Sequence, residues 1–247
     1  MPSFAGKTIW IIGASQGIGR ALASALAAQG ARLILSARNA QALTQLNAEL
    51  GGGHTLLPLD VSVPNAIAAA LEQLGAQLPD IAIFMAGVYT PMKLDALDLA
   101  RTAEIVSTNL TAAILFVGQL FPRFKQRGQG HIVLCGSIAG YTGLPNGQPY
   151  SATKAGVNNL AESLAAEAAG TNVKVQLICP GFVDTQMTRQ NDFHMPARLT
   201  PAAAAQEIVK GLASNSFEIH FPRRMTWPAK LLRLLPYSLA LPLLRRI

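Results

Sequence analysis

Tyr150 and Lys154, in the stretch "YSATK", are four residues apart. On a helix that spacing puts both side chains on one face. A phenol with an ordinary pKa of about 10 exchanges protons poorly near neutrality unless a neighbouring cation favours its anion, and Lys154 can supply that cation. Alone, such a pair is more often solvated helix surface than a proton-transfer site. Ser137, thirteen residues upstream at the end of an apolar run, makes the constellation more specific. The four histidines, His54, His131, His194 and His220, are scattered without ligand spacing. They read as structural or surface residues, and no metal site is expected.

A second chemical signal is "IGASQGIGR", which places Gly13, Gly17 and Gly19 between an apolar run and the helix-like stretch "GIGRALASALAAQG". A helix N-terminus offers unpaired N–H groups and partial positive charge, and side-chain-free residues let a pyrophosphate approach the backbone. Ser15, Gln16 and Ile18 complete that turn. The plain alternative is a tight connection with no ligand. The next apolar run ends "LILSARN", with no carboxylate for a ribose 2′-hydroxyl. Ser36 cannot replace one, whereas Arg38 could pair with a 2′-phosphate, which favours NADP(H) over NAD(H).

Such groups need a scaffold that brings distant loops to one edge. Short apolar runs alternate with Ala/Leu-rich helical stretches, the pattern of β-α repeats around a parallel sheet. Strands are predicted at 7–12, 32–36, 54–58, 80–85, 130–136, 173–179 and 217–221, with helices between them. "TIWII", "LILS", "IAIFM", "HIVLC" and "VQLIC" are continuously hydrophobic, as strands buried on both faces should be. With 247 residues, 50% of them hydrophobic, the chain suits one α/β domain. No repeat or low-complexity block divides it. Cys135 and Cys179 each lie in an apolar run and read as buried thiols in a reducing compartment. The opening "MPSFAGKTIW" lacks the basic and apolar regions of a secretory signal, so a cytoplasmic location is expected.

These motifs, in this order, resemble the short-chain dehydrogenase/reductase family from about Lys7 to Phe221. The glycine spacing is G-x-x-x-G-x-G, as in that family. The resemblance implies a three-layer Rossmann fold with a doubly wound, mostly parallel seven-stranded sheet. It implies hydride transfer between nicotinamide and a carbonyl or secondary alcohol. Tyr150 would exchange the proton with the substrate oxygen, Ser137 would hydrogen-bond that oxygen, and Lys154 would lower the Tyr150 pKa and hold the nicotinamide ribose. Asn109, in "IVSTNLTAA", matches an asparagine that kinks a helix and holds a water; read without the family it is a helix irregularity. Asp60 and Val61 resemble the adenine-contacting loop, although Asp60 would equally suit a helix cap. Pro180, Gly181, Val183 and Thr185 resemble the segment that fixes the carboxamide, although Pro-Gly alone is a turn. Ala86 and Gly87 permit close passage of the cofactor. The family's usual asparagine before them is Met85 here, so a structural hydrogen bond is expected to be lost.

The variable stretch "MTRQNDFHMPARLTP" would close the substrate site, and Tyr89, Pro91, Met92, Tyr141, Leu144, Phe182 and Phe193 could line it for a hydrophobic ketone. Beyond a catalytic domain at 1–222, residues 223–247 form a basic, leucine-rich extension. The net charge is +7, and from Phe217 to Ile247 six basic residues face one acid. Without aromatic interleaving or finger spacing, nucleic acid is not the expected partner. The apolar stretch from Leu234 to Leu244 carries Pro236 and Pro242 and is far shorter than the about twenty residues of a spanning helix. Three readings stay open for it: a segment lying in the headgroups of an anionic membrane, an arm over the substrate site, or a subunit contact. A homo-dimer or homo-tetramer is implied by the resemblance. Two other classes fit the fold, a catalytically silent NADP(H) sensor and a membrane-tethered interaction module. The Ser-Tyr-Lys-Asn set argues against both.

Overall fold

Side-chain alternation within the strands decides how the sheet is covered. In β1 (Thr8–Ile12), Trp10 and Ile12 enter one apolar cluster, and Ile9 and Ile11 enter the other on the opposite face. All four are at most 1% exposed, which is why the run is apolar at successive positions. The computed structural model describes residues 4–193 and 195–245; His194, Arg246 and Ile247, which the sequence reading touched, lie outside them.

The other strands are β2 (Arg32–Ser36), β3 (Thr55–Leu56), β4 (Ile81–Phe84), β5 (Gly130–Cys135), β6 (Val173–Pro180) and β7 (Glu218–Phe221). They form one sheet in the order β3-β2-β1-β4-β5-β6-β7, and every pairing is parallel. All seven predicted strands are present. The third is shorter than predicted because only Ile34 and Leu35 pair with it. Helices α1 (Gly17–Ala27), α2 (Ala40–Glu49) and α7 (Pro201–Leu212) cover the Ile9/Ile11 face. Helices α3 (Ala66–Leu74), α5 (Ala112–Arg127) and α6 (Tyr150–Glu167) cover the Trp10/Ile12 face. The chain runs outward from β1 to β3 and resumes at β4 on the other side of β1. The β1/β4 boundary is therefore the topological switch point, where open parallel sheets bind ligands beyond the strand C-termini.

Local chemistry starts these helices. Asn39 caps α2 by accepting from the Ala42 N–H at 3.0 Å, and Thr200 caps α7 through Ala203 at 3.1 Å with Pro201 in its first turn. Helix α4 (Leu99–Val106) runs through a π-turn at Ser107–Thr111 into α5. This continuous Leu99–Arg127 helix is long and apolar enough to cross a membrane by composition. Phe116, Leu120 and Phe124 are fully buried against the sheet, however, so it is a core helix. After β7 the extension forms α8 (Arg223–Leu234) and α9 (Tyr237–Leu244), broken at Leu235–Pro236.

Candidate active site

The C-terminal ends of β1, β4, β5 and β6 open onto a cleft of about 380 Å³. Into it face Gly13, Ser15, Gln16, Gly17, Ile18 and Gly19 from the β1–α1 turn, Arg38 after β2, and Asp60 and Val61 after β3. Ala86 and Gly87 after β4, Pro180 at the end of β6, and Gly181, Val183 and Thr185 after it form the far wall. Ser137, Tyr150 and Lys154 line the same space.

The turn's geometry explains its glycines. Gly13 has φ +102°, and a Cβ there would lie 2.9 Å from the Ala86 nitrogen. At Gly19 a Cβ would lie 2.1 Å from the Gly13 carbonyl oxygen, so α1 can approach the turn only without a side chain. Helix α1 has no side-chain cap at Gln16, unlike the Asn39-capped α2, and no acid in its first turn. Its leading N–H groups thus remain available toward the cleft, which fits a pyrophosphate. Ser36 is occupied, since its hydroxyl accepts from Trp10 Nε1 at 2.8 Å inside the sheet. Arg38 is mostly exposed and only loosely tied to Glu104 at 3.7 Å, leaving its guanidinium able to meet a phosphate.

Asp60 closes a local turn by accepting from the Ser62 amide at 2.9 Å and hydroxyl at 2.7 Å. It does not cap α3, whose cap position is Asn65. Burial would raise the Asp60 carboxyl, but the Ser62 bonds and nearby Arg38 bring it below its ordinary range.

Tyr150 is the first residue of α6, and Lys154 stands one turn on. The Lys154 ammonium donates to the Cys135 carbonyl at 2.8 Å and lies 5.6 Å from the Tyr150 ring centroid. Ser137 Oγ accepts from the Ala139 N–H at 3.1 Å, which fixes the hydroxyl where β5 ends. Burial pushes the Tyr150 phenol above its ordinary range, the Cys135 thiol adds to this, and the Ser137 hydrogen bond opposes it. Burial also lowers the Lys154 ammonium, against the two cysteines. In the protein by itself, burial therefore dominates at Tyr150 and pushes its pKa up.

Asn109 stands behind the cleft wall in the π-turn. Its Oδ1 accepts from the Val88 N–H at 2.8 Å, and its Nδ2 donates to the Val88 carbonyl at 2.9 Å and to Thr153 Oγ1 at 3.3 Å. Its bonds go to the 87–88 segment and α6, not directly to Lys154. The extra residue of a π-turn turns such a side chain inward.

The sequence reading missed Asn158, one further turn along the Tyr150–Lys154 face. It is buried, donates to the Ser137 carbonyl at 3.3 Å, and packs so closely that a Cβ at Gly136 would lie 1.9 Å from its Oδ1. The i+4 spacing was its available signal. Thr188 was also missed: its Oγ accepts from the Thr185 N–H at 3.1 Å and donates to the Val183 carbonyl at 2.6 Å, with no motif to mark it.

Of the residues expected at the substrate side, Tyr89 meets Tyr150 directly, and Phe182 meets Phe193 edge-on at 5.8 Å. Met92 is buried, Leu144 partly buried and Pro91 exposed. Tyr141 differs from expectation: it is buried and its hydroxyl donates to Glu218, so that group is engaged in the wall. Met85 lines the cleft while packing on the core, and its backbone N–H bonds the Ile12 carbonyl at 2.8 Å, so strand geometry persists without an asparagine side chain.

His54 accepts from the Leu33 N–H at 3.3 Å, His220 bonds Thr226 at 2.7 Å, and burial lowers His131 to about 3. Among the described residues no three His, Cys, Asp or Glu side chains converge as metal ligands. Both cysteines are free thiols, Cys179 buried and Cys135 partly so.

A family profile described as short chain dehydrogenase matches residues 7–195. The chain is 33% identical over 238 residues to an uncharacterized oxidoreductase of Myxococcus xanthus, covering 94% of each. It is 32% identical over 219 residues to a 3-oxoacyl-[acyl-carrier-protein] reductase of Escherichia coli, covering 85% of this chain and 90% of that protein. A solved short-chain dehydrogenase from Sphingobium yanoikuyae, in complex with NADPH, superimposes with a TM-score of 0.83 at 25% identity, over 98% of this chain and 96% of that one. With its parallel Rossmann-type sheet and a cleft shaped for a nicotinamide dinucleotide, the chain belongs to the short-chain dehydrogenase/reductase family of oxidoreductases.

Proposed function

We propose that this protein is an NADP(H)-dependent ketoreductase acting on a hydrophobic carbonyl compound. The observation that carries the reading is the convergence of Ser137, Tyr150 and Lys154 on the cleft that holds the glycine turn and Arg38. When bound there, the dinucleotide would supply the hydride that reduces the carbonyl carbon. Tyr150 gives its phenolic proton to the carbonyl oxygen as negative charge grows there, and Ser137 donates a hydrogen bond to the same atom. Lys154 holds the ribose side of the cleft and passes a proton to the Tyr150 phenolate, itself being reprotonated from solvent. Asn109 keeps the 87–88 segment and α6 in register and, through a water, connects the lysine to solvent.

The α1 N-terminus suits the pyrophosphate, Arg38 a 2′-phosphate, Asp60 and Val61 the adenine side, and the 180–185 segment the carboxamide. The NADPH complex of the Sphingobium relative supports the cofactor assignment. The ketoreductase relative in Escherichia coli and the apolar side chains around Tyr89 and Phe182 support a lipid-derived ketone such as a long-chain 3-keto compound. Free thiols suit a reducing cytoplasmic setting. Leu99, Val106, Ile114 and Leu115, exposed along α4 and α5, suit a homo-dimer or homo-tetramer contact.

The test is NADPH consumption, followed by absorbance, over a panel of ketones of increasing chain length. Turnover rising with apolar chain length is expected. NADPH binding with no turnover of any carbonyl would overturn the reading in favour of a silent sensor.

A further inference from the structure

We infer that the outer face of α8 and α9 is a docking surface for an anionic phospholipid bilayer. The inner side of α8 is fixed to the body: Thr226 bonds His220, Lys230 pairs with Glu218, and Arg233 reaches Glu162 on α6 at 3.4 Å. Its outer side repeats at helical spacing with Trp227, Leu231 and Leu234, which are 56%, 61% and 79% exposed. Helix α9 buries Ala240 and Leu244, one turn apart, and exposes Tyr237, Leu239 and Leu241. Seven of the fifteen exposed large apolar side chains among the described residues lie on these two helices, and an eighth, Leu235, lies at the break between them. Such concentration marks an interaction surface, whereas scattered exposure would not.

Charge identifies the occupant. No acidic residue occurs between Arg223 and Arg245. Arg223, Arg224 and Arg245 form no ion pair among the described residues. A second copy meeting this face would oppose one uniformly basic surface with another, and an acidic protein would not need the leucine stripe. Anionic headgroups over hydrocarbon answer both features at once, with arginines outside, Trp227 at the boundary and leucines below it. With twelve and eight residues, α8 and α9 are each too short to span. The surface adjoins the cleft: Met225 Sδ on α8 lies 3.0 Å from where a Cβ would stand on Gly181.

The experiment uses the full chain, sedimented with phosphatidylcholine vesicles and with vesicles also containing phosphatidylglycerol. The chain has two tryptophans, and Trp10 is fully buried, so a lipid-induced blue shift of emission reports on Trp227. Expected is binding to anionic vesicles that weakens with salt and blue-shifts Trp227. The pair Leu231→Glu/Leu234→Glu should lose binding at least tenfold while keeping its circular dichroism and NADPH affinity. Arg223→Ser/Arg224→Ser should weaken binding to anionic vesicles. Unchanged Trp227 emission with no sedimentation would overturn the proposal. So would a lipid-free oligomer that Leu231→Glu/Leu234→Glu dissolves, which would assign the face to a second copy, or capture of an acidic carrier protein unaffected by that pair.

Discussion

The ring of Tyr89 meets the ring of Tyr150 edge-on, with centroids 5.1 Å apart and planes at 73°, while its hydroxyl bonds Asn191 Oδ1 at 2.8 Å. One side chain thus touches both the phenol proposed as the proton donor and the segment after β6. Tyr89→Phe keeps the ring contact and loses the bond, so it should raise KM for the ketone several-fold with kcat little changed. Tyr89→Ala removes the support of the Tyr150 ring and should lower kcat by roughly tenfold, the equivalent of about 1.4 kcal/mol. Steady-state kinetics of both variants separate the two effects. Equal behaviour of the pair would remove the positioning role.

Tyr150→Phe deletes one oxygen and keeps the ring. Turnover should fall on the order of a hundredfold to ten-thousandfold, the usual worth of a positioned general acid. NADPH affinity, read by fluorescence titration, should stay near wild type. Retained full activity would contradict the mechanism.

Arg38→Ala should weaken NADPH by roughly tenfold to a hundredfold, as expected for loss of a charge-assisted contact of about 1.5–3 kcal/mol. NADH affinity should be unaffected. Comparing kcat/KM for the two dinucleotides measures this directly, and a parallel loss for both would assign Arg38 a purely structural part.

Glu218 ties the catalytic body to α8. Burial would raise its carboxyl, but Lys230 and Tyr141 hold it below its ordinary range. A carboxyl lowered in the folded state adds stability above the unfolded pKa and loses it as pH falls through the folded value. Glu218→Gln should cost about 1–3 kcal/mol at neutral pH, with the difference from wild type shrinking in acid. Denaturant melts across pH give the profile.

Gly19→Ala should prevent stable folding, because the added carbon meets the Gly13 carbonyl at 2.1 Å within packed backbone. Gly51→Ala has open space and only an unfavourable φ of +89°, so its cost should stay at about 1–2 kcal/mol. Thermal melts of the two distinguish crowding from backbone preference.

The sequence by itself determined the sheet, because strands such as "TIWII" and "VQLIC" must bury both faces and have nowhere else to go. It also determined the Tyr150–Lys154 pair and the glycine turn, whose spacings are local and set by helix pitch and backbone contact. Only the tertiary structure decided what those groups meet. Asn158 holds Ser137 and Tyr141 turns to Glu218 through contacts 21 and 77 residues apart, which no local pattern encodes. It likewise decided that burial dominates at Tyr150, since desolvation depends on the whole surrounding wall. The leucines after Arg223 could have covered the site or faced outward; packing against β7 turned their stripe to the surface.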